Sequence, residues 1–223
     1  MTTLVNSHTM WINLEPESND ARQTLAALLV SLGKLDKARP HLEMLLAAEN
    51  DTTGHAFLQL NQMLSRNPDK AATLQLIQQL AQPYVDLPEA HFAISQAAWF
   101  SSQYTLALTE MQKALSLRPD WEIAAVQKGR ILQRSSIDDT AAFYANYLNK
   151  YPQANEVRTL YTRILISQGK EDAARNQLTF LLEKNPDNAE IMLAVGLLSA
   201  KLLDYDMTEA SFNRALALNY EDP

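Results

Sequence analysis

The chain has 223 residues, 47% hydrophobic and 20% charged, with five glycines and nine prolines. These proportions suit a folded domain with a sizeable core and argue against a disordered or fibrous chain. A formal net charge of −7 counts against a nucleic-acid partner, whose phosphates call for an excess of Lys and Arg, and the lack of cysteine excludes disulfides, thiolate metal sites and a cysteine nucleophile. Cytosol and periplasm both stay open. No run approaches the roughly 18 apolar residues of a membrane helix. The most apolar stretch, Ala194 to Leu203, is broken by Ser199 and Lys201, so this sequence is not expected to insert directly into a membrane. The first residues lack a basic start followed by an apolar core, so no export signal is expected there.

In chain order, His8–Pro16 reads as the last half of a helix, and residues 1–18 are expected to be the remnant of a preceding unit. Residues 19–53 carry two helical patterns around Leu32-Gly33-Lys34, where glycine can take the left-handed conformation that stops a helix. Small Ala26 and bulky Leu29 lie on the first helix, Ala38 and Leu42 on the second. In residues 54–87 the bulky positions are Leu64 and Ile77, while Asn61 stands where a small residue is expected and Val85 where a proline is. Residues 88–120 place small Ser95 and Ala107 beside bulky Met111 and end in Ala-Leu-Ser-Leu-Arg-Pro119. Residues 121–154 use Gly129, Leu132 and Tyr144 and read as one residue short around Ser135–Asp139. Residues 155–188 use Thr162, Leu165, Ala174 and Leu178 around Ser167-Gln168-Gly169-Lys170. Residues 189–223 use Gly196 and Phe212, with Tyr220 in the proline's place.

Pro119, Pro152 and Pro186 each follow an apolar helical run and recur at intervals of 33 and 34 residues. A proline cannot continue the helix before it but is tolerated where the next begins. The apolar residues sit three, four or seven positions apart, the spacing of helices and not of strands. This period, with small residues at the helix crossing and bulky ones between turns, resembles the tetratricopeptide repeat, a helix–turn–helix unit of about 34 residues. The resemblance covers nearly the whole chain and implies an all-α, right-handed α-solenoid of antiparallel helix pairs in a single domain of about six repeats. Their expected bounds are 19–53, 54–87, 88–120, 121–154, 155–188 and 189–223. No polar-faced closing helix follows Ala215–Tyr220, so the chain is expected to be a segment of a longer array. Uncapped ends of that kind would allow dimers.

Chemistry-bearing motifs are lacking. The histidines at 8, 41, 55 and 91 form no i, i+4 pair and no HExxH, and His55 and His91 fall near first turns of helices, where polar surface residues are ordinary. No nucleophile elbow, phosphate loop or dinucleotide turn is present. Acidic pairs such as Asp138-Asp139 and Glu171-Asp172 suit the positive ends of helices. No metal, cofactor or catalytic residue is expected, and the chain is not expected to be an enzyme.

The family resemblance implies that residues on the first helix of each pair, facing away from the second, line a concave groove. Projected onto this chain, that places His55, Leu58, Gln62 and Arg66 there, then Phe92, Gln96, Trp99 and Phe100, then Val126, Arg130, Gln133 and Arg134, then Arg163 and Ile166. Such a surface would bind a protein or peptide with an apolar anchor and an acidic or C-terminal carboxylate group. Core packing of Phe92, Trp99 and Phe100, and solvation or local pairing of the arginines, remain open alternatives. The Lys and Asn clamp of chaperone-binding members is missing, its places being held by Gln23, Ala27, Leu58, Gln62, Phe92 and Gln96. Leu87-Pro88-Glu89-Ala90-His91-Phe92-Ala93 and the closing Ala-Leu-Asn-Tyr-Glu-Asp-Pro resemble large bacterial outer-membrane lipoproteins of the same family. That resemblance implies a periplasmic adaptor, for example for a carboxyl-terminal processing protease, tethered through a part not in this sequence. A spacer or self-association module is the alternative to a groove-binding scaffold.

Overall fold

A computed structural model describes residues 18–48 and 53–220, the last two as backbone only. The expected helical remnant at His8–Pro16 lies outside the described residues. Among those described, the chain forms twelve α-helices, one short 3₁₀ turn and no strands. The contacts group the chain into two compact units, residues 1–119 and 120–223.

The N-terminal unit holds α1 (Asn19–Ser31), α2 (Leu35–Ala48), α3 (Thr53–Leu64), α4 (Lys70–Ala81), the 3₁₀ turn (Gln82–Tyr84), α5 (Pro88–Phe100) and α6 (Tyr104–Leu117). Ser18 opens α1 by accepting a hydrogen bond from the Ala21 amide at 3.3 Å, and Asp69 opens α4 by accepting from Ala72 at 2.9 Å. Consecutive helices pair as antiparallel hairpins, α1 with α2 and α5 with α6, and α1 also packs on α3 and α3 on α5. The small residues sit where the helices cross. Ala26, Ala38, Ser95 and Ala107 are all fully buried, and the Ser95 hydroxyl donates to the Ala107 carbonyl at 2.6 Å. Leu42, Leu64, Ile77 and Met111 fill the space between turns.

The C-terminal unit repeats the plan with α7 (Glu122–Gln133), α8 (Ile137–Lys150), α9 (Asn155–Ser167), α10 (Glu171–Lys184), α11 (Ala189–Lys201) and α12 (Tyr205–Tyr220). Two crossings need glycine. A Cβ on Gly129 would lie 2.0 Å from the Tyr144 hydroxyl oxygen, and one on Gly196 would lie 2.6 Å from the Phe212 ring. Leu165, Leu178, Leu181, Val195 and Leu198 form a continuous core across α9, α10 and α11. Polar clips join successive hairpins within each unit. Asn67, buried, donates to the Val30 carbonyl at 3.1 Å at the end of α1. The Glu122 carboxylate accepts from the Glu156 and Val157 amides at 2.7 and 3.0 Å, capping the start of α9 from the preceding hairpin.

Three expectations need correction or refinement. The missing residue of the fourth segment comes off the end of α7, not from the turn, because the linker 134–136 has the same three residues as its counterparts at 32–34, 101–103, 168–170 and 202–204. Four of those turns share one device: the middle residue is left-handed, at Gly33, Ser102, Gly169 and Leu203, with φ of 70°, 62°, 69° and 56°. The third turn residue then donates back to the helix, as from Lys34 to Leu29 at 2.8 Å and Lys170 to Leu165 at 2.9 Å. Asn61, which takes a small residue's place, is buried and donates its amide to Gln96 across the hairpins.

His91 is no surface residue, although its position near a helix start pointed that way. It is buried, with Nε2 donating to the Val85 carbonyl at 2.8 Å and Nδ1 2.6 Å from Glu110 Oε2. Lys113 donates to the other oxygen of Glu110 at 2.8 Å. Burial opposes charge on Glu110, but the hydrogen bonds from Lys113 and His91 outweigh it and hold this carboxyl below the ordinary value of 4.5. The folded chain thus binds the Glu110 proton less tightly than the unfolded chain. The stability it contributes is present above about pH 4.5 and lost as pH falls through the lower folded value. In urea titrations the stability gap between the native chain and Glu110→Gln is expected to be widest near neutrality and to narrow below that pH, and a gap independent of pH would contradict the assignment.

Leu203 is 68% exposed, so its side chain returns little packing for a backbone conformation that costs L-residues roughly 1–2 kcal/mol. Leu203→Gly is expected to raise unfolding free energy by about 0.5–1 kcal/mol after glycine's extra chain entropy. Chemical denaturation measures this, and a loss of stability would refute it.

Candidate functional site

On the N-terminal unit an open cleft of about 450 Å³ runs between α1 and α3. Gln23, Ala27, Val30 and Ser31 form one wall, and Gln59, Gln62, Met63 and Arg66 form the other. Each wall follows one helix face by its three- and four-residue spacing, with Arg66 in the turn just beyond the end of α3. The cleft exists because the small crossing residues turn the bulky side of α1 toward α2, leaving the opposite side to short or polar groups. Its floor is apolar through Ala27, Val30 and Met63. Its rim carries three carboxamides, each with donor and acceptor, and one guanidinium. A smaller cavity of about 120 Å³ shares Gln23, Gln59 and Met63 and reaches down to Leu42 and Leu46 of α2.

Of the residues projected from the sequence, Gln62 and Arg66 line this cleft, and Leu58 is half-buried on the same helix. Those on α5 are placed differently from one another. Phe92 is only 4% exposed and belongs to the core. Gln96 receives the Asn61 amide. Trp99 is half-buried and packs edge-on against Tyr104 of its own hairpin, ring centres 5.2 Å apart at 67°. Phe100 is 53% exposed, with the Lys70 ammonium 5.9 Å from its ring centre. In the C-terminal unit Arg130, Arg134 and Arg163 are all exposed on α7, its end and α9.

Sequence reasoning passed over Gln59 and Met63 in the cleft, and Leu193 and Leu197 on α11. These leucines are 50% and 55% exposed and lie 34 residues beyond Thr159 and Arg163. Carrying the repeat register one unit further would have found them. Elsewhere in that unit polar groups serve the packing. Arg158 is buried with its guanidinium 3.7 Å from the Phe180 ring centre and donates to the Pro152 carbonyl at 2.8 Å. Burial pushes the Tyr144 phenol up to about 12. Among the described residues no group of three or more acidic or histidine side chains is placed to hold a metal ion, and no helix is long and apolar enough to cross a membrane.

Residues 88–120 match the sequence model of the tetratricopeptide repeat. No curated protein matches the chain. Among solved structures, residues 41 to the end of MamA from Desulfovibrio magneticus align with a TM-score of 0.53 at 15% identity, covering 76% of this chain and 96% of that one. A tetratricopeptide repeat protein from Parabacteroides merdae aligns with a TM-score of 0.55 at 12% identity, covering 89% of this chain and 79% of that one. Identities this low speak to the fold alone, and tetratricopeptide-repeat proteins are in general non-catalytic scaffolds for protein partners. Residues 88–120 thus match one whole repeat in sequence, and its helix hairpin recurs through both units, so the chain is similar in fold to tetratricopeptide-repeat proteins.

Proposed function

We propose that the chain is a non-catalytic protein-interaction scaffold that receives a segment of a partner protein along the faces of its first-of-pair helices. The observation that carries this is the cleft between α1 and α3. Its volume of about 450 Å³ suits a few peptide residues. The carboxamides of Gln23, Gln59 and Gln62 can each donate to a peptide carbonyl and accept from a peptide amide, while Arg66 can hold a side-chain or terminal carboxylate. Met63, Val30 and Ala27 offer a shallow apolar floor for one anchor side chain. Amides, a guanidinium and apolar groups are the equipment of binding and not of proton transfer.

Leu58, Gln62 and Arg66 make up the N-terminal part of the proposed surface, with Gln96 and Phe100 extending it along α5. Phe92 supports this face from the core, and Trp99 is shared between the face and its contact with Tyr104. The finer role, an adaptor in a bacterial envelope complex, is supported by the resemblance of Leu87–Ala93 and of the closing residues alone.

The test is to select binding peptides from a random library against the full chain and to map them by amide hydrogen exchange. Protection should appear at Gln23, Gln59, Gln62 and Arg66. Ala27→Trp, which fills an open cleft without touching the core, is expected to weaken the selected peptides at least about tenfold with an unchanged melting temperature. A selection that yields no peptide protecting the cleft, or cleft-protecting peptides that bind Ala27→Trp as tightly as the native chain, would refute the assignment.

A further inference from the structure

The C-terminal unit carries a second surface whose chemistry differs from that of the cleft. There α9 packs against both α7 and α11, so three first-of-pair helices lie side by side. In the register that continues the repeat, α7 and its end present Arg130 and Arg134, α9 presents Arg163, and α11 presents Leu193, Leu197 and Lys201. All six are exposed. No aspartate or glutamate occupies any position of that register, in a chain whose net charge is −7. Among the described residues Arg130 and Arg163 make no ion pair, whereas Arg175 and Arg214 of the same unit do.

Leu193 and Leu197 stand one helical turn apart and so share a face. Burial of Val195, Leu198 and Leu202 in the hairpin core leaves that face to solvent. Two half-exposed leucines beside a row of cations combine an apolar anchor point with a local field opposite in sign to the rest of the molecule. We infer that this face docks an acidic amphipathic segment of a partner protein, with apolar side chains one helical turn apart seated on Leu193 and Leu197 and flanking carboxylates held by Arg130 and Arg163. Charge decides the class of occupant. An extended anionic surface such as a membrane or a nucleic acid would meet the repulsion of the whole acidic chain, while a short segment meets only the cationic face. Complementary charge here governs approach and register, and the leucines hold the segment once it has arrived. The inference rests on the scaffold function proposed above but not on the α1–α3 cleft.

The experiment uses the full chain and a fluorescein-labelled synthetic peptide of about sixteen residues, Leu-Glu-Glu-Ala repeated, with Lys replacing Glu in its control. The acidic peptide is expected to bind saturably by fluorescence anisotropy, more weakly as salt is raised, and the basic one not at all. Leu197→Glu and Arg163→Glu, both at exposed positions, should each weaken the acidic peptide at least about tenfold while circular dichroism and melting temperature stay as in the native chain. Ala27→Trp should leave this binding unchanged, so failure of the cleft and failure of this surface are told apart. No binding of the acidic peptide, equal binding of the two peptides, or native-like affinity in both variants would overturn the inference. So would vesicles rich in phosphatidylserine that bind with the same dependence on Leu197 and Arg163 while the peptide does not.

Discussion

The close crossing of the two helices within a hairpin, as in α1–α2, α5–α6 and α11–α12, is the constraint from which the rest of the structure follows. Helix axes approach to the lower end of the usual separation only where one side contributes no more than a methyl or hydroxyl group. Ala26, Ser95, Gly129, Thr162 and Gly196 fill that role on the first helix of their pairs, and Ala38, Ala107 and Ala174 on the second. At Gly129 and Gly196 a large ring lies directly over the glycine, so that shape and not helix propensity chose the residue. Once the crossing is fixed, bulky residues such as Leu42, Met111 and Leu178 have one place to go, between the turns of the paired helix.

Function is what that arrangement leaves over. Because each first helix spends one side on its hairpin partner and a second on the neighbouring hairpin, a third side is open to solvent. On α1 and α3 this side is lined by amides and an arginine around an apolar floor, and on α9 and α11 by a cation and leucines. Clips such as Asn67 to Val30, Asn61 to Gln96 and Glu122 to the start of α9 lock successive hairpins within each unit. These clips use polar side chains buried or capped at helix ends, where an unmade hydrogen bond would cost about 1–3 kcal/mol each. They therefore fix the spacing of the open faces more tightly than apolar packing alone would.

Helix content, hairpin pairing and the crossing residues were legible in the sequence, because each depends on a local period and a residue size. The left-handed turns were legible at Gly33 and Gly169 and hidden at Ser102 and Leu203, where side chains that disfavour that conformation adopt it because the returning amide bond demands it. Long-range polar partners were hidden as well. Nothing near His91 in the sequence announces Glu110, nineteen positions away on another helix, and Asn61 reads as a defect until Gln96 is seen beside it. At the candidate surfaces, Gln62 and Arg66 followed from register. Phe92 shows the limit of register, since an aromatic residue on the correct face can still be large enough to sink into the core. Attention to arginines and aromatic residues passed over Leu193 and Leu197, although the repeat register carried one unit further leads to both.

The most direct measurement of the crossing constraint is the unfolding free energy of Gly129→Ala and Gly196→Ala by urea denaturation. Helix propensity alone would make each change stabilising, by about 1 kcal/mol. If the rings of Tyr144 and Phe212 set the crossing, each is instead expected to cost about 1–3 kcal/mol. The Gly129→Ala loss should shrink when Tyr144→Leu removes the opposing ring. Neutral or stabilising glycine substitutions, or a loss indifferent to Tyr144, would contradict the account.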